Sequence, residues 1–375
     1  MRNLFRNIKF SGSDITSSDL KDLNKVIKSG WLAHGEKTEV FESKFSEYTN
    51  SKYSIAVSSC TSGLYILAKL ADFKKGDIVL VPSVTHTATA HAIKLTGAKV
   101  KFVDVDASNG NISVKDLKKK HSSKVKGIVI VHLLGRSAWT KEFDQFIKKV
   151  NLSVIEDCAH ALGTKNFDGT HVGSKGIGGS FSFYPTKQIT TGEGGMITTN
   201  SRKIYNLAKK LRAFGIDKNP SERVIPGLYD VEDLSLNFRM TEFQASLGIN
   251  QITRYDSNLS HRKKIAKLYD FYLSKNNNIL LPRISKDDSY FVYQFLVDKN
   301  LSRNDVILEL KKNGVPVSIH YATPLHRMSY YNKENKNLNL YSSDSYTNKC
   351  ISLPVHKYIT NKVCIGICNI INKIL

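Results

Sequence analysis

The sequence predicts an α/β fold: a three-layer αβα unit around a mostly parallel central sheet, followed by a smaller α+β unit at the C-terminus. Three observations carry that expectation. Between Asp77 and Asp157, short β-branched runs alternate with amphipathic segments at the spacing of strand, crossover helix and strand. The ends of these runs gather hydroxyl, acidic and imidazole side chains, which is where open parallel sheets place ligands. After about residue 250 the pattern changes to a long helical stretch and a sparser succession of strand and helix, so the expected domains are 1–250 and 251–375.

Residues 17–29 have the spacing of an amphipathic helix, with Ser17 or Ser18 as cap, Leu20, Leu23, Val26 and Ile27 as apolar face and Gly30 as stop. A second helix follows the GWLAHG link, with Val40, Phe41, Phe45 and Tyr48 as its stripe. SIAVSS reads as a strand and 63–70 as a helix. Then come strand DIVLVPS, a helix near 87–96, strand VKFVDVD, a helix near 114–121, strand GIVIVHLL, a helix near 140–150 and a short buried strand carrying Leu152, Val154 and Ile155. FSFYP and MITT are strands, and 202–214 is a basic helix. A helical stretch over about 241–275, with a break near Asn258, leads to strand YFVYQFLV, a helix near 303–313 stopped by Gly314, strand VPVSIHY and a last helix after Thr360.

Composition removes several classes of function. At 375 residues with 41% hydrophobic content the chain can bury a large core. MRNLFRNIKFSGSD is not a basic start followed by an apolar run, and no stretch approaches membrane length, so a soluble cytoplasmic protein is the expectation. Five cysteines, at 60, 158, 350, 364 and 368, are odd in number and scattered, which argues against a disulfide framework. Cys364 and Cys368 lie four apart but lack further ligands nearby, so no metal is expected. A net charge of +22 invites a nucleic-acid partner, yet the lysines are spread through every segment and no recognition helix, zinc finger or aromatic RNA-binding signature is present. A generally basic surface would instead steer phosphate-bearing substrates inward. GSKGIGGS at 173–180 imitates a dinucleotide loop, but it leads into a strand rather than opening a helix.

The chemistry centres on Lys187. In FSFYPTKQITTGEGGM, Phe181 and Phe183 fall on one face of an extended segment and Ser182 and Tyr184 on the other. Pro185 stops the ladder, and glycines 192, 194 and 195 let backbone pass close by. In LSVIEDCAHALG, Asp157 and His160 lie just beyond a buried strand. A lysine at one strand end, with an acid and an imidazole at another, suits pyridoxal phosphate: the amine forms a Schiff base with the aldehyde, and the carboxylate keeps the ring nitrogen protonated. Asp157 read alone is equally a helix cap or a loop acid. Ser58, Ser59, Cys60, Thr61 and Ser62 at a helix start offer hydroxyls and free N–H groups to a phosphate, although a plain cap explains one or two of them as well.

EDCAHALG, SFYPTKQITTGEGGM and LNFRMTEFQASLG together resemble the DegT/StrS-type sugar aminotransferases, fold type I enzymes that depend on pyridoxal phosphate. The likeness runs from about Gly30 to His356, in the family's order and spacing. It implies that Lys187 is the Schiff-base lysine, Asp157 the partner of the pyridine nitrogen, His160 a neighbour of the ring hydroxyl, and Thr61, Ser62 and Ser182 phosphate ligands. His86 occupies the position of the residue that stacks on the ring. The family usually has Phe, Tyr or Trp there, and by its chemistry His86 could also cap the next helix. Asn237 matches a residue that reaches across a homodimer interface to the partner's cofactor. Trp31 in SGWLAHG, Tyr184, Arg239, and His320, Tyr321 and His326 of HYATPLH are the candidate substrate residues. Read alone, GWLAHG is a connector and HYATPLH a strand edge. The resemblance implies transfer of an amino group, from glutamate in most relatives, to a keto group of a nucleotide-linked deoxy sugar in polysaccharide biosynthesis. Pyridoxamine phosphate is the half-way state. Relatives that carry histidine at the lysine position dehydrate their sugars instead. Two other readings remain: an aminotransferase for a small phosphorylated ketone, and a non-catalytic basic nucleic-acid-binding protein on an enzyme-like fold.

Overall fold

A computed structural model describes residues 8–218, 223–283 and 285–375. The β-branched runs form strands β1 (Tyr53–Val57), β2 (Ile78–Pro82), β3 (Lys99–Val103), β4 (Val125–Val131), β5 (Ser153–Asp157), β6 (Gly178–Ser182) and β7 (Gly195–Thr199). They make one sheet in the order β1-β7-β6-β5-β4-β2-β3. Only β7 runs antiparallel to its neighbours, and the rest are parallel. The strands are near-continuous apolar runs because both faces are covered. Val79, Val81, Val129 and Ile155 point to one face, while Leu80, Ile128, Ile130 and Val154 point to the other.

Helices α1 (Ser17–Ser29), α2 (Glu36–Thr49), α3 (Cys60–Leu70), α4 (Thr87–Lys94), α5 (Val114–Lys120), α6 (Lys141–Val150), α7 (Arg202–Leu211), α8 (Glu242–Thr253) and α9 (Tyr255–Leu273) account for the first part of the chain. Helices α3, α4 and α7 bury their apolar residues on the first face. Helices α5 and α6, with α2 and α8 beside them, cover the second, so three layers result. The GSKGIGGS segment feeds straight into β6, whose first three residues it supplies, and no helix follows it.

A second sheet of β8 (Ile279–Leu280), β9 (Tyr293–Val297) and β10 (Cys350–Leu353) is antiparallel, in the order β10-β9-β8. Its core is closed by α10 (Arg303–Lys312), α13 (Asn361–Ile374) and the later turns of α9. Tyr255, at the start of α9, still belongs to the core of the large sheet, whereas Ile265 and Tyr269 belong to that of the small one. The core contacts therefore change hands within one helix.

Four local expectations are corrected. Only part of the α1 stripe faces inward: Val26 is 4% exposed, whereas Leu20 and Ile27 are each 57% exposed, and the helix is further anchored by buried Asp19, whose Oδ2 takes a 2.6 Å bond from Arg254. The cap of α1 is Thr16, in a reciprocal capping box with Asp19. The break between α8 and α9 falls at Arg254 rather than Asn258. VPVSIHY is not a strand; only Ser318 makes a bridge, to Ser352 of β10. The partner strand of β9 is β10, the short buried run CISL, while α11 (Ser329–Asn335) and α12 (Tyr341–Lys349) come from a polar, Asn- and Ser-rich stretch without clear periodicity. The long segment between α7 and α8 is a loop as read, with 219–222 outside the described residues.

Glu242 fastens the first helix pair to the large unit. Its carboxylate accepts the N–H groups of Gly35, Lys37 and Thr38 and the Thr38 hydroxyl, at 2.8–3.0 Å, and it is 4% exposed. They include the Gly35 and Lys37 N–H groups at the start of α2, while the Thr38 N–H is shared with Gly35 O at 3.1 Å. Glu242→Ala is expected to destabilise the fold by about 2–3 kcal/mol, read as a lower urea midpoint at unchanged slope.

Candidate active site

The C-terminal ends of the parallel strands converge on one pocket. Ser58–Ser62 follow β1, His86 follows β2, Leu133–Gly135 follow β4, Asp157 ends β5 and Ser182 ends β6. Lys187 lies in the return between β6 and β7. That return is a closed loop: Phe183 N–H bonds Gly194 O, and Thr191 N–H bonds Phe183 O. The loop can close because Gly194 has φ +154° and sits where a Cβ would lie 2.3 Å from Thr191 Oγ1.

The Lys187 ammonium nitrogen stands 4.7 Å from the centroid of the Phe291 ring. Burial pulls its pKa down from the ordinary lysine value to about 8, against the opposing pull of Cys60 and Asp157. Phe291 in turn stacks on His160 with centroids 4.2 Å apart and ring planes 8° apart. His160 is held well below the usual histidine range, first by burial and then by the Lys187 charge. Its Nε2 lies 3.3 Å from the Tyr321 hydroxyl. His320 stands beside them, its Nδ1 3.0 Å from Ser352 Oγ, with its pKa lowered to about 3 by burial and the same lysine charge.

Asp157 is 4% exposed. One carboxylate oxygen accepts the Ala159 N–H at 3.1 Å and the other the Thr89 hydroxyl at 2.7 Å. A carboxylate has about four lone-pair positions, so acceptor capacity remains for a further donor. Helix α3 starts earlier than expected, so Cys60, Thr61 and Ser62 form its first turn, with Ser59 as N-cap accepting the Ser62 N–H. Ser62 Oγ lies within 3.0 Å of both Ser58 Oγ and Ser59 Oγ. Gly195 passes so close that a Cβ there would meet Ser59 O at 2.7 Å and Cys60 N at 2.5 Å. His86 caps α4 through its own ring: Nδ1 accepts the Ala88 N–H at 3.2 Å, which leaves a flat, exposed imidazole.

These residues fit pyridoxal phosphate. The amine is shifted toward its nucleophilic neutral form, a buried carboxylate keeps free acceptor capacity, and a helix N-terminus with hydroxyls forms an anion seat. His86 supplies a planar surface. Ser182, partly buried, has its Oγ 3.4 Å from the Tyr184 N–H.

The remaining candidates are distributed unevenly. His320 and Tyr321 come to Lys187, but His326 of the same segment does not: it is 0% exposed, with Asp344 as its nearest charged neighbour at 3.6 Å, and presents nothing to a substrate. Trp31 is 63% exposed and lines a groove of about 1080 Å³ with His34, Lys209, Arg212 and Glu242, separate from Lys187. Tyr184 is half-exposed and its carbonyl accepts the Lys187 N–H. Asn237 and Arg239 lie on the surface, with Arg239 over Phe214, and between them Phe238 O takes the Ser58 N–H at 2.7 Å. Phe291 and Thr89 were not foreseen, since the first reads as strand core and the second as helix. His132, Glu156 and Cys158 also cluster beneath the pocket. Gly173 and Lys175 N–H groups and the His132 ring occupy the Glu156 carboxylate, and Ala138 N–H occupies the other His132 nitrogen, so the His132–Glu156 pair is a hydrogen-bonded clamp.

Fold and pocket together define an aminotransferase with a lysine at its centre. Residues 13–372 match the DegT/DnrJ/EryC1/StrS aminotransferase family, and the chain belongs to it; its members are pyridoxal phosphate-dependent aminotransferases. The chain is 33% identical, over 95% of its length and 94% of the relative's, to the UDP-4-amino-4,6-dideoxy-N-acetyl-beta-L-altrosamine transaminase of Campylobacter jejuni. It is 31% identical to the GDP-perosamine synthase of Escherichia coli O157:H7, over 96% of each chain. PseC of Helicobacter pylori, an aminotransferase involved in the biosynthesis of pseudoaminic acid, superposes with a TM-score of 0.91 at 25% identity, covering 97% of this chain and 98% of the other. The large mostly parallel sheet is that of fold type I aminotransferases, as expected. Among the described residues no helix is long and apolar enough to cross a membrane.

The Lys187 shift has a consequence in pH. Because the folded-state pKa is about 8, the reactive neutral amine should grow through pH 7–9 and plateau above, where an ordinary lysine is still protonated. Trapping of pyridoxal phosphate on the protein by borohydride should follow that curve, map to residue 187 and vanish in Lys187→Ala.

Proposed function

We propose that the protein transfers an amino group from glutamate to a keto group of a nucleotide-linked deoxy sugar, in the supply of sugars for polysaccharides. The observation that carries this reading is the Lys187 amine, its pKa lowered by burial to about 8, sharing a buried pocket with the Asp157 carboxylate. The names of the Campylobacter and Escherichia relatives support a nucleotide-linked acceptor over a small keto phosphate.

Pyridoxal phosphate, when bound, supplies an electron sink and a carrier for the amino group. Lys187 would hold the cofactor, and its free amine would serve as base and then acid, moving a proton to and from the substrate carbon that loses or gains nitrogen. A pKa near 8 leaves both protonation states available near neutrality. Asp157 would hold the proton on the ring nitrogen, with His160 as neighbour of the ring hydroxyl. Thr61, Ser62 and Ser182 would take the phosphate, and His86 would offer the ring a stacking face. Tyr321 and His320 would meet the acceptor.

The active site is completed by a second copy of the chain, with Asn237 reaching the partner's phosphate seat, and Trp31, Tyr184 and Arg239 brought to the sugar at that interface. The apolar surface of the Asn237 loop supports a homodimer: Leu234 is 83% and Leu236 59% exposed.

Reconstituted protein should be yellow, bleach on adding glutamate, and recover colour with a UDP- or GDP-linked keto sugar. Recovery only with small keto phosphates would overturn the acceptor, and no bleaching with glutamate would overturn the donor. Lys187→Ala should bind cofactor without covalent attachment and lose about 10²–10⁴-fold in turnover or more. Asp157→Asn should lose about 10²-fold or more at unchanged fold.

A further inference from the structure

Asp157 does not stand alone. Its Oδ2 accepts a 2.7 Å hydrogen bond from the Thr89 hydroxyl, and Thr89 Oγ1 lies 2.7 Å from Thr85 Oγ1. Both threonines are 1% exposed. The direction of this chain is determined by proton count. A hydroxyl carries one proton, and an ionised carboxylate can only accept. Thr89 therefore gives its proton to Asp157 and must receive one from Thr85. Thr85 precedes α4 and Thr89 sits in its first turn, with the cap residue His86 between them in the chain. One helix start thus presents the imidazole surface of the pocket and grips its acid.

We propose that Thr85 and Thr89 form a neutral hydroxyl relay that orients the Asp157 carboxylate toward the ring nitrogen of the cofactor. They are positioning residues, acting through Asp157, and the proposal rests on the reading of this pocket as a pyridoxal phosphate site. The Ala159 N–H pins one carboxylate oxygen and Thr89 the other, so the plane of the group is determined before any ligand arrives. A hydrogen bond to the charged form of an acid stabilises that form. A lysine or arginine at position 89 would do so more strongly, but its charge would offset the attraction between the carboxylate and a protonated ring nitrogen. A hydroxyl donates without adding charge.

The test compares pyridoxal phosphate with a 1-deaza analogue that lacks the ring nitrogen, using wild type, Thr89→Val, Thr89→Ser and Thr85→Val in equilibrium dialysis. Thr89→Val keeps the volume and removes the hydroxyl. It should weaken pyridoxal phosphate about 10-fold or more, as expected for one hydrogen bond to a charged group, and leave the deaza analogue within about twofold. Thr89→Ser should restore binding, and Thr85→Val should weaken it in the same direction by less. Equal weakening of both ligands, or of neither, overturns the relay. Should Thr89→Val fail to fold, Thr85→Val carries the same comparison, and its equality with wild type on pyridoxal phosphate is equally fatal. If wild type itself binds no pyridoxal phosphate, the reading of the pocket fails instead, so the two failures are distinguishable.

Discussion

The desolvated amine of Lys187 is the constraint around which the pocket is built. A lysine removed from water loses the solvation that favours its ammonium, so its proton becomes easier to give up unless a strong counter-charge restores the balance. Here the walls are mostly aromatic: Phe291 lies under the amine, and His160, His320 and Tyr321 stand around it. Asp157 is near enough to pull the pKa partly back, but burial wins, and the value settles at about 8. The same charge and burial keep the two histidines neutral. The pocket therefore holds a reactive amine among neutral rings, with a single buried carboxylate facing it.

Two parts of the chain far apart in sequence maintain this environment. Residues Ser289–Phe291, which lead into β9, are bonded to the turn after β4: Ser289 N–H to Gly135 O and Phe291 N–H to Leu134 O. Gln188, next to the lysine, donates to His160 O at 2.5 Å and to Ser289 Oγ at 3.2 Å. Buried Arg262 of α9 caps the Tyr290 and Phe291 carbonyls, so the strap has few unsatisfied groups. The strap before the smaller sheet is thus a wall of the Lys187 pocket. Shifting the strap would move Phe291 and His160 together, and the lysine would lose its dry surroundings.

The strand ends were legible because a parallel sheet shows itself in period and spacing. Runs such as IVLVP and GIVIV can only be buried on both faces, and the hydroxyl, acidic and lysine residues that interrupt them fall at one edge of the sheet. Lys187 stood out against many other lysines because Pro185 and three glycines enclose it. The α1 face was misread in part, because hydrophobic spacing alone does not say what lies opposite. Val26 turns inward as read, but beside it Asp19 found Arg254, and that partly buried ion pair left Leu20 and Ile27 outside. His326 was misread for a related reason: it shares a segment with His320 and Tyr321, but the short helical turn at Leu325–Arg327 directs it into the core.

By itself the sequence determined the secondary-structure alternation, the lysine, the acid and the hydroxyl seat, since each depends on interactions between near neighbours along the chain. Tertiary structure decided what surrounds them. Phe291 over the amine, Thr89 on the carboxylate and the division of HYATPLH between pocket and core depend on residues brought together from distant positions. The physical reason is that pKa and orientation follow local dielectric and hydrogen-bond partners, and those exist only once the strands are ordered and the layers closed.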